Sequence, residues 1–425
     1  MALAIEYFRS MPRYVGAKVA GRRAPGLVAG GPLAPLRLVT QDDPEPSLEG
    51  WARLKPTLAG ICGSDLSAIA GESSFYFSPL VSLPFVPGHE VVGELVDRCG
   101  EHPAGQRVTL SSVLGCAARD QADLCVHCAA GEYGRCDRVT VGSLEPGLPT
   151  GFCASTGGAW SRLMLAHRSQ LWAVPDGIDD RTAVLIEPLA TAIHSVFRAR
   201  IPDGADVLVI GSGTVGLLTQ VALRRFAQPG RVIVAAKHPA QRAAAKMAGA
   251  DEVVRPEHAL KAVRRAAHAI KLTPERGQDF LLGGADVVFE CTGSSRALDM
   301  ALRTAKAGGR VVVSGIPAPG ADLTPLWFRE LELVGAYTTG MEEVHPSNDS
   351  STRADAREGR RHSFALALEL ASQIGPMLAP MVGATYPLAR WRDAIDHAMS
   401  AGRLGTFKVA FAPQDRSPSH RSSTT

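Results

Sequence analysis

The sequence lacks a marked excess of either charge. Its 45 lysine and arginine residues against 42 acidic residues leave a net charge of +3 over 425 residues. An excess this small and dispersed does not favour nucleic acid or a membrane surface as a partner, because both attract strongly basic proteins. We therefore expect small molecules as partners, and neither nucleic acid nor a membrane.

Long hydrophobic runs are also missing. Glycine, serine, threonine and glutamine interrupt even the apolar stretch from Val207 to Leu223, whereas a membrane helix needs about 20 consecutive apolar residues. The first 31 residues scatter basic side chains among apolar ones and contain no continuous run of the signal-peptide type. We expect a cytoplasmic chain without a membrane span.

The chain contains eight cysteines. In a cytoplasmic protein of this length they favour metal ligation or reactive thiols over disulfides, because that compartment keeps thiols reduced. With 45% hydrophobic residues the chain can bury two cores of ordinary size. Two domains are therefore expected.

Two segments carry candidate metal ligands. They read Gly-Ile-Cys-Gly-Ser-Asp, with Cys62 and Ser64, and Pro-Gly-His-Glu, with His89 and Glu90. Thiolate and neutral imidazole are ligands that zinc prefers, and Glu90 offers a carboxylate oxygen. A buried cysteine or a core histidine would be the simpler interpretation of either residue alone. Together, however, the segments resemble the zinc-dependent medium-chain alcohol and polyol dehydrogenases, the superfamily of sorbitol and threonine dehydrogenases.

The resemblance extends from Leu36 to Ala412 and implies an α/β fold, in which a GroES-like β-rich catalytic domain accompanies a Rossmann domain with a doubly wound parallel sheet. The implied domains are a catalytic domain at residues 1–187 with a structural-zinc lobe at about 115–137, an NAD(P)-binding domain at 188–338, a return to the catalytic domain at 339–412 and a disordered tail at 413–425. The polar excursion at 341–362 is either a lid or mobile decoration.

Glu187 is a further candidate ligand, in the motif Ile-Glu-Pro-Leu. A lone glutamate before proline usually just begins a helix. In the polyol branch, however, this carboxylate either binds zinc or holds the zinc-bound water while the glutamate after the histidine binds the metal. We predict Glu187 as ligand and Glu90 as an exchanging or supporting carboxylate.

Ser64 could begin a proton relay from the substrate, or it could be a turn serine that bonds its own backbone. Many relatives carry a histidine shortly after this serine. This chain has Ser67, Ala68 and Ile69 there, so the outer end of any relay must be built differently.

A cysteine-rich segment resembles the structural-zinc lobe of the same family. Cys125, Cys128 and Cys136 have its spacing, but the usual first cysteine is replaced by Ala122. Cys116 is the available substitute, because a longer loop could bring four thiolates into a closed tetrahedron that contributes folding energy. His127 is the alternative ligand, and a metal-free lobe is the alternative state.

The cofactor domain is predicted from a strand, a glycine-rich turn and a helix in succession. The apolar strand ends at Ile210, and the turn reads Gly211-Ser-Gly213-Thr214-Val215-Gly216. The glycines permit a tight turn and close approach to a pyrophosphate, which the helix N-terminus would bind. Residues at the carboxyl ends of two later strands are predicted to flank the nicotinamide and ribose: Cys291, Thr292, Ser314, Gly315 and Ile316, with Cys291 itself serving packing.

Lys237 stands where NAD-selective domains place an acidic residue, about 20 residues after the glycines. A lysine can instead pair with a 2′-phosphate, and His238 and Arg242 could add donors. The alternative is that all three are solvated and that backbone shape selects the cofactor. We predict NADP(H) in preference to NAD(H).

These interpretations lead to one functional expectation. The chain should be a zinc- and nicotinamide-dependent alcohol dehydrogenase that acts on a secondary or polyol-like alcohol, or on the matching carbonyl, as a homodimer or homotetramer. Two alternatives remain open. One is a zinc-independent quinone or enoyl reductase of the same superfamily, which would lack the metal ligands, and the other is a non-catalytic NADP(H)-binding protein.

Overall fold

The computed structural model of the chain describes residues 1–20, 25–316, 320–344 and 359–415. The chain divides into two compact units, the first formed by Met1–Glu187 with Leu368–Thr425 and the second by Pro188–Ala367. Residues 345–358 of the predicted polar excursion and residues 416–425 of the predicted tail lie outside the described residues.

The boundary between the units lies at the peptide between Glu187 and Pro188, and the chain returns to the first unit at Leu368 rather than at residue 339. A hairpin explains this difference from the predicted domains. Its two strands, Met341–Val344 and Gly359–His362, pair antiparallel, and the Ser363 hydroxyl donates to the Gly340 carbonyl at their base. The hairpin therefore closes within the second unit.

The chain forms its elements in the following order. Up to residue 199 they are β1 (Ala2–Tyr7), α1 (Met11–Ala20), α2 (Pro25–Val28), β2 (Leu36–Gln41), β3 (Trp51–Gly60), α3 (Gly63–Ile69), β4 (Val91–Leu95), β5 (Arg107–Leu110), α4 (Val126–Ala129), β6 (Met164–His167), β7 (Leu171–Ala173), α5 (Asp180–Ala183) and α6 (Ile186–Ala199).

The next elements are β8 (Asp206–Ile210), α7 (Thr214–Phe226), β9 (Arg231–Ala235), α8 (Pro239–Met247), β10 (Glu252–Val254), α9 (Ala259–Ala266), β11 (Ile270–Leu272), β12 (Phe280–Leu282), β13 (Ala285–Glu290), α10 (Ser295–Thr304), β14 (Ala305–Val313), α11 (Thr324–Phe328), β15 (Glu332–Gly335), β16 (Met341–Val344) and β17 (Gly359–His362). The last are α12 (Ser363–Leu378), β18 (Val382–Tyr386), α13 (Trp391–Leu404) and β19 (Lys408–Phe411).

The first unit is built on a seven-stranded sheet in the order β18-β19-β3-β4-β5-β7, with β6 also paired to β3. Its core is formed by buried side chains such as Leu54, Val91, Leu110 and Phe411. Because β3 and β4 are antiparallel neighbours with Ala59 opposite Val91, the residues that follow β3 lie beside the residues that precede β4. This register brings the two predicted metal-ligand segments together.

The second unit contains a six-stranded sheet in the order β10-β9-β8-β13-β14-β15, and all of its neighbouring strands are parallel. This is the strand order of a doubly wound dinucleotide-binding fold, with the reversal between β8 and β13. The predicted Rossmann sheet is thus confirmed. In such sheets ligands bind at the carboxyl ends of the strands beside this reversal.

One helical stretch corrects the expectation about hydrophobic length. Ser363–Met381 is long and apolar enough to cross a membrane by length and composition, with a mean hydropathy of 1.2. Its buried side chains include Phe364, Leu366 and Leu370, as expected for a helix that contributes to a protein core. Length and composition alone therefore give only weak support for a membrane span.

Candidate metal and cofactor sites

Cys62 and His89 lie next to each other because of the pairing of β3 with β4. The Gly60 amide donates to the Glu90 carbonyl at 2.8 Å, which fixes the two segments side by side. Cys62 then begins α3 as its N-cap residue, in an extended conformation. A side chain at position 60 would not fit, because its Cβ would lie 2.1 Å from a carboxylate oxygen of Glu90.

Asp65 lies behind the His89 ring. Its Oδ1 lies 3.6 Å from His89 Nδ1, and both atoms are buried without a hydrogen-bond partner. The other oxygen, Oδ2, accepts from the Cys62 amide at 2.9 Å. The opposite ring atom, Nε2, lies 3.4 Å from the Ser64 hydroxyl oxygen. A carboxylate behind one ring nitrogen is the usual support of a metal-binding histidine, which leaves the other nitrogen to the metal.

His89 and Glu187 interact electrostatically. Burial opposes a charged His89 ring, but Asp65, Cys62 and Glu187 raise the pKa of His89 well above its usual value. Burial raises the pKa of the Glu187 carboxyl to about 7, with nearby Glu90 adding to the shift and His89 opposing it. A cation bound between these side chains would relieve both effects, because it favours the neutral imidazole and the ionised carboxylate.

Glu90 is engaged by a buried lysine. Lys408 Nζ donates to Glu90 Oε1 at 2.7 Å and to Oε2 at 2.5 Å, and it also donates to the Ile61 carbonyl at 3.3 Å. Both side chains of this ion pair are almost fully buried. Both Glu90 oxygens are thus already engaged by a cation.

The predicted catalytic ligands come together only loosely in this conformation. Over residues 1–20, 25–316, 320–344 and 359–415, the set of three or more potential ligands whose atoms all lie within 4.8 Å of one another is the four-cysteine group. Cys62, His89, Glu90 and Glu187 are not part of such a set. Their thiolate, imidazole and carboxylate nevertheless suit a zinc ion, and the buried His89 ring with Nδ1 facing the Asp65 carboxylate fits that use.

The four-cysteine group consists of Cys116, Cys125, Cys128 and Cys136, all of them buried. Backbone amides point at its sulfur atoms: the Cys125 amide lies 3.4 Å from the Cys116 sulfur, and the Cys128 amide lies 3.5 Å from the Cys125 sulfur. Burial opposes ionisation of Cys125, but the amides of Cys128 and Asp137 outweigh it and lower its pKa to about 6. Burial instead raises the pKa values of Cys128 and Cys136, so the amides favour a thiolate at Cys125, while a bound metal would favour thiolates at the other positions.

Cys116 is the fourth member of the cysteine group, in place of a cysteine at Ala122. The Cys116 and Cys136 sulfur atoms are 3.7 Å apart, whereas His127 lies outside the group and faces Glu132 and Asp137. Two further cysteines, Cys99 and Cys153, are buried in two separate apolar clusters.

The glycine-rich turn of the second unit connects β8 to α7. Gly211 has a φ of +95°, and a Cβ there would lie 2.5 Å from the Thr292 side chain. A Cβ on Gly216 would lie 2.1 Å from the Gly211 carbonyl oxygen. Gly213 is the N-cap of α7, which begins at Thr214 and continues through Val215. The turn therefore presents the N-terminus of a long helix, where amide groups and the helix dipole favour a phosphate.

The ends of β13 and β14 meet beside this turn. The Glu290 carboxylate accepts from the Thr292 amide at 2.8 Å and from its hydroxyl at 2.6 Å, which fixes the turn after β13. Ser314 follows β14 and donates to the Ser195 hydroxyl at 3.1 Å, and Gly315 and the exposed Ile316 come next. Burial raises the pKa of Cys291 to about 12, and nearby Glu290 adds to the shift.

Lys237, His238 and Arg242 gather at the carboxyl end of β9, which lies next to β8 in the sheet. Lys237 is exposed, and His238 is the N-cap of α8. Arg242 Nη1 donates to the Lys237 carbonyl at 2.7 Å. The arrangement places three basic residues around one short loop.

Asp65 and Lys408 are the two site residues that the sequence interpretation missed. Asp65 was visible in the motif with Cys62, three positions later, at the spacing that lets a side chain reach back to the amide of a helix N-cap. Lys408 was visible as a single charge in an apolar strand, which indicates a buried partner. That its partner is Glu90 depends on the pairing of β19 with β3.

Two family models match the chain. The alcohol dehydrogenase GroES-like domain matches residues 48–176, and the zinc-binding dehydrogenase model matches residues 214–351. The L-galactonate-5-dehydrogenase of Escherichia coli is 30% identical over 277 residues, which is 62% of this chain and 68% of that protein. The L-idonate 5-dehydrogenase of Vitis vinifera is 28% identical over 299 residues, which is 69% of this chain and 75% of that protein.

Solved structures resemble both units together. A zinc-binding dehydrogenase from Sinorhizobium meliloti, bound to NADP, has a TM-score of 0.65 and 26% identity, with 89% of this chain and 95% of that chain covered. The 2R,3R-butanediol dehydrogenase of Bacillus subtilis has a TM-score of 0.68 at 18% identity, with 97% and 100% covered. At that identity the second likeness bears on the fold alone.

Proposed function

Because the chain belongs to the family of zinc-type alcohol and polyol dehydrogenases, we propose that Cys62, His89 and Glu187 hold its catalytic zinc. As a member of this family the chain is an oxidoreductase that uses zinc and a nicotinamide cofactor to interconvert an alcohol and a carbonyl compound. The observation that carries the ligand assignment is the His89 ring, which is buried, backed by Asp65 and directed by Nε2 toward Ser64.

The side chains around the proposed zinc position have different roles. When bound, zinc supplies a Lewis acid and the nicotinamide accepts or returns the hydride. Asp65 lies behind the imidazole at Nδ1, and Lys408 neutralises Glu90, so that Glu90 does not repel the Glu187 carboxylate. The Ser64 hydroxyl, which is partly exposed and within 3.4 Å of the ring, can accept the proton of a substrate hydroxyl and pass its own toward water.

Metal analysis tests these assignments together with the proposed structural zinc of the four cysteines. The native protein should contain two zinc ions per chain. Cys62→Ser should remove one ion and abolish turnover without loss of cofactor binding. Cys128→Ala should remove the other and lower thermal stability before it lowers the rate, because a closed site contributes folding energy. Full activity of zinc-free protein would refute the catalytic assignment, and one ion per chain in both the native and Cys128→Ala proteins would refute the structural one.

The proposed substrate is a polyhydroxylated secondary alcohol or its ketone. Relatives of this chain are named as sorbitol, L-idonate and L-galactonate dehydrogenases, so the shared chemical feature is a secondary hydroxyl in a polyhydroxylated chain. Cofactor absorbance with a panel of polyols, sugar acids and simple alcohols tests the class. Turnover of simple primary alcohols alone would contradict it.

We propose NADP(H) as the preferred cofactor. Lys237, His238 and Arg242 form a basic group at the end of β9, where a 2′-phosphate would need cationic donors. The zinc-binding dehydrogenase of Sinorhizobium meliloti that resembles this chain was solved with NADP.

We further propose that the enzyme is a homo-oligomer in the cytoplasm. β15 is an edge strand of the six-stranded sheet, and the segment before it exposes Trp327 and Phe328. An edge strand with exposed aromatic residues beside it suits pairing with a second copy. The eight cysteines form no disulfide within the described residues, as expected in a reducing compartment. Light scattering of the native protein and of Trp327→Ser should show a dimer or tetramer that the substitution weakens; a native monomer would refute it.

A further inference from the structure

Gln220 is a buried amide on the helix that follows the glycine-rich turn. It stands in α7, one helical turn after Gly216, and it is 1% exposed. Its Nε2 donates to the Ser212 hydroxyl at 3.2 Å and to the Gly216 carbonyl at 3.1 Å. Ser212 is the second residue of the Gly-x-Gly-x-x-Gly turn, and Gly216 is the last. One side chain therefore bonds to both ends of the turn.

The hydrogen bonds continue from the turn to the basic loop after β9. Ser212 is also 1% exposed, and its hydroxyl donates to the Gln241 carbonyl of α8 at 3.5 Å. The Gln241 side chain in turn accepts from the His238 amide at 3.3 Å. A row of hydrogen bonds thus runs within the second unit from α7, through the turn, to the N-terminus of α8.

The turn itself has a backbone with much conformational freedom. Gly211 has a φ of +95°, and a Cβ on Gly213 would meet nothing within 4 Å, so the middle of the turn is open to a ligand. Glycine loses more conformational freedom on ordering than any other residue. A ligand that must first order such a turn binds more weakly than one that meets an ordered turn. A side chain that fixes both ends of the turn reduces this cost.

The Gln220 amide contributes little to the stability of the fold. Its Oε1 is buried without a hydrogen-bond partner in the part of the chain that the structure describes, and a buried unpaired acceptor is destabilising. Neither of its partners depends on it. The Gly216 carbonyl is one helical turn earlier and can accept the Gln220 backbone amide, and the Ser212 hydroxyl retains the Gln241 carbonyl. An apolar side chain of similar size would leave no polar group unpaired.

We propose that Gln220 is a positioning residue that orders the glycine-rich turn for the pyrophosphate of the nicotinamide cofactor. Because Gln220 is buried, it acts through Ser212 and Gly216 and not by contact with the cofactor. This inference rests on the assignment of the turn to the cofactor.

Cofactor binding to the full-length, zinc-loaded protein tests the proposal, with NADPH and NADH each titrated by fluorescence. Gln220→Met should raise the Kd of the more tightly bound cofactor about tenfold, which corresponds to about 1.4 kcal/mol. The KM for that cofactor should rise with it, whereas kcat and the melting temperature of the cofactor-free protein should not change. Ser212→Ala should also weaken binding, and its combination with Gln220→Met should be no weaker than Gln220→Met alone, because both remove the same hydrogen bond.

Two further variants serve as controls. Thr304→Val removes another buried hydrogen bond of the second unit, from the Thr304 hydroxyl to the Met300 carbonyl at 2.7 Å in α10, and it should leave the Kd unchanged. Gly213→Asp tests the assignment of the turn. Gly213 has a φ of −77° and free space at its Cβ, so the fold should accept aspartate, but its charge would repel a pyrophosphate and should abolish binding.

The outcomes separate positioning from a structural role. An unchanged Kd for Gln220→Met would overturn the proposal, and so would weaker binding that comes with a lowered melting temperature and adds fully to the effect of Ser212→Ala. If Gln220→Met does not fold, Ser212→Ala decides, and an unchanged Kd for that variant overturns the proposal. Undiminished binding by Gly213→Asp would instead refute the assignment of the turn to the cofactor, and the proposal with it.

Discussion

The buried ion pair between Glu90 and Lys408 allows a quantitative prediction. Lys408→Met keeps the length and apolar character of the side chain but removes its charge, which leaves the Glu90 carboxylate buried beside Glu187 without a cation. Removing one partner of a buried pair costs about 3–5 kcal/mol. At about 2–4 °C per kcal/mol for a unit of 150–250 residues, the melting temperature should fall by roughly 6–20 °C.

A double-mutant cycle separates the pair from its surroundings. Glu90→Gln alone should also be destabilising, whereas Lys408→Met combined with Glu90→Gln should recover most of the loss, because neutral groups of similar size can replace a buried pair at little cost. All four proteins are compared by thermal unfolding in zinc-saturated buffer. Lys271→Met is the control, since its ion pair with Asp279 is partly exposed and should contribute little.

The pH dependence of this effect follows from Lys408. Burial lowers its pKa, but Glu90 and the other nearby anionic groups outweigh burial, so the net shift is upward. A lysine with a raised pKa in the folded state stabilises the fold below its unfolded pKa of about 10.4, and this contribution is lost only above it. The charge of Lys408 itself should thus be constant between about pH 6 and 9, so that any change in the cost of Lys408→Met over this range reports on the neighbouring Glu187 carboxyl, whose pKa is about 7. A cost below about 1 kcal/mol, or a double mutant no better than the sum of its singles, would refute the reasoning.

Three further predictions concern single residues. Ser64→Ala should lower kcat by about 100-fold with zinc content unchanged, because it removes the proposed proton acceptor; an unchanged kcat would exclude the relay. Lys237→Asp should shift the ratio of kcat/KM for NADP and NAD at least about tenfold toward NAD, while the exposed Lys246→Asp should not, and a native preference for NAD would contradict the cofactor assignment. Burial lowers the pKa of His167 to about 4. Between pH 6.5 and 4 the unfolded state therefore binds a proton that the folded state does not bind, and the free energy of unfolding falls by at most about 3 kcal/mol. His167→Gln should flatten this part of the melting-temperature profile, and an unchanged profile would show that other groups cause it.

The sequence predicted the features that depend on local pattern. The turn from Gly211 to Gly216 follows its strand directly, so its function can be inferred from neighbouring residues alone. Cys62 and His89 were recognised because each stands in a distinctive short motif. The four-cysteine group could also be predicted, because its members are close in the sequence and only the usual first cysteine, at Ala122, is missing.

Other features depend on tertiary pairing and were therefore missed. Lys408 contacts Glu90 across 318 positions, and no short-range pattern indicates which strand lies opposite β3. The chain returns to the first unit at Leu368, later than the predicted residue 339. The strands of the intervening hairpin, β16 and β17, are polar and charged, and their sequence resembles that of a loop.

Gly60 illustrates how a residue without a side chain can be constrained as tightly as a reactive one. Its amide donates to the Glu90 carbonyl, its carbonyl accepts from the Trp160 indole at 3.2 Å, and the space where a Cβ would stand is filled by the Glu90 carboxylate. Even alanine would push against the ion pair with Lys408. In a saturation mutagenesis screen for activity, position 60 should therefore tolerate no replacement and score like a reactive residue, although it contributes no functional group. Directed evolution of a new substrate preference is accordingly better aimed at other positions.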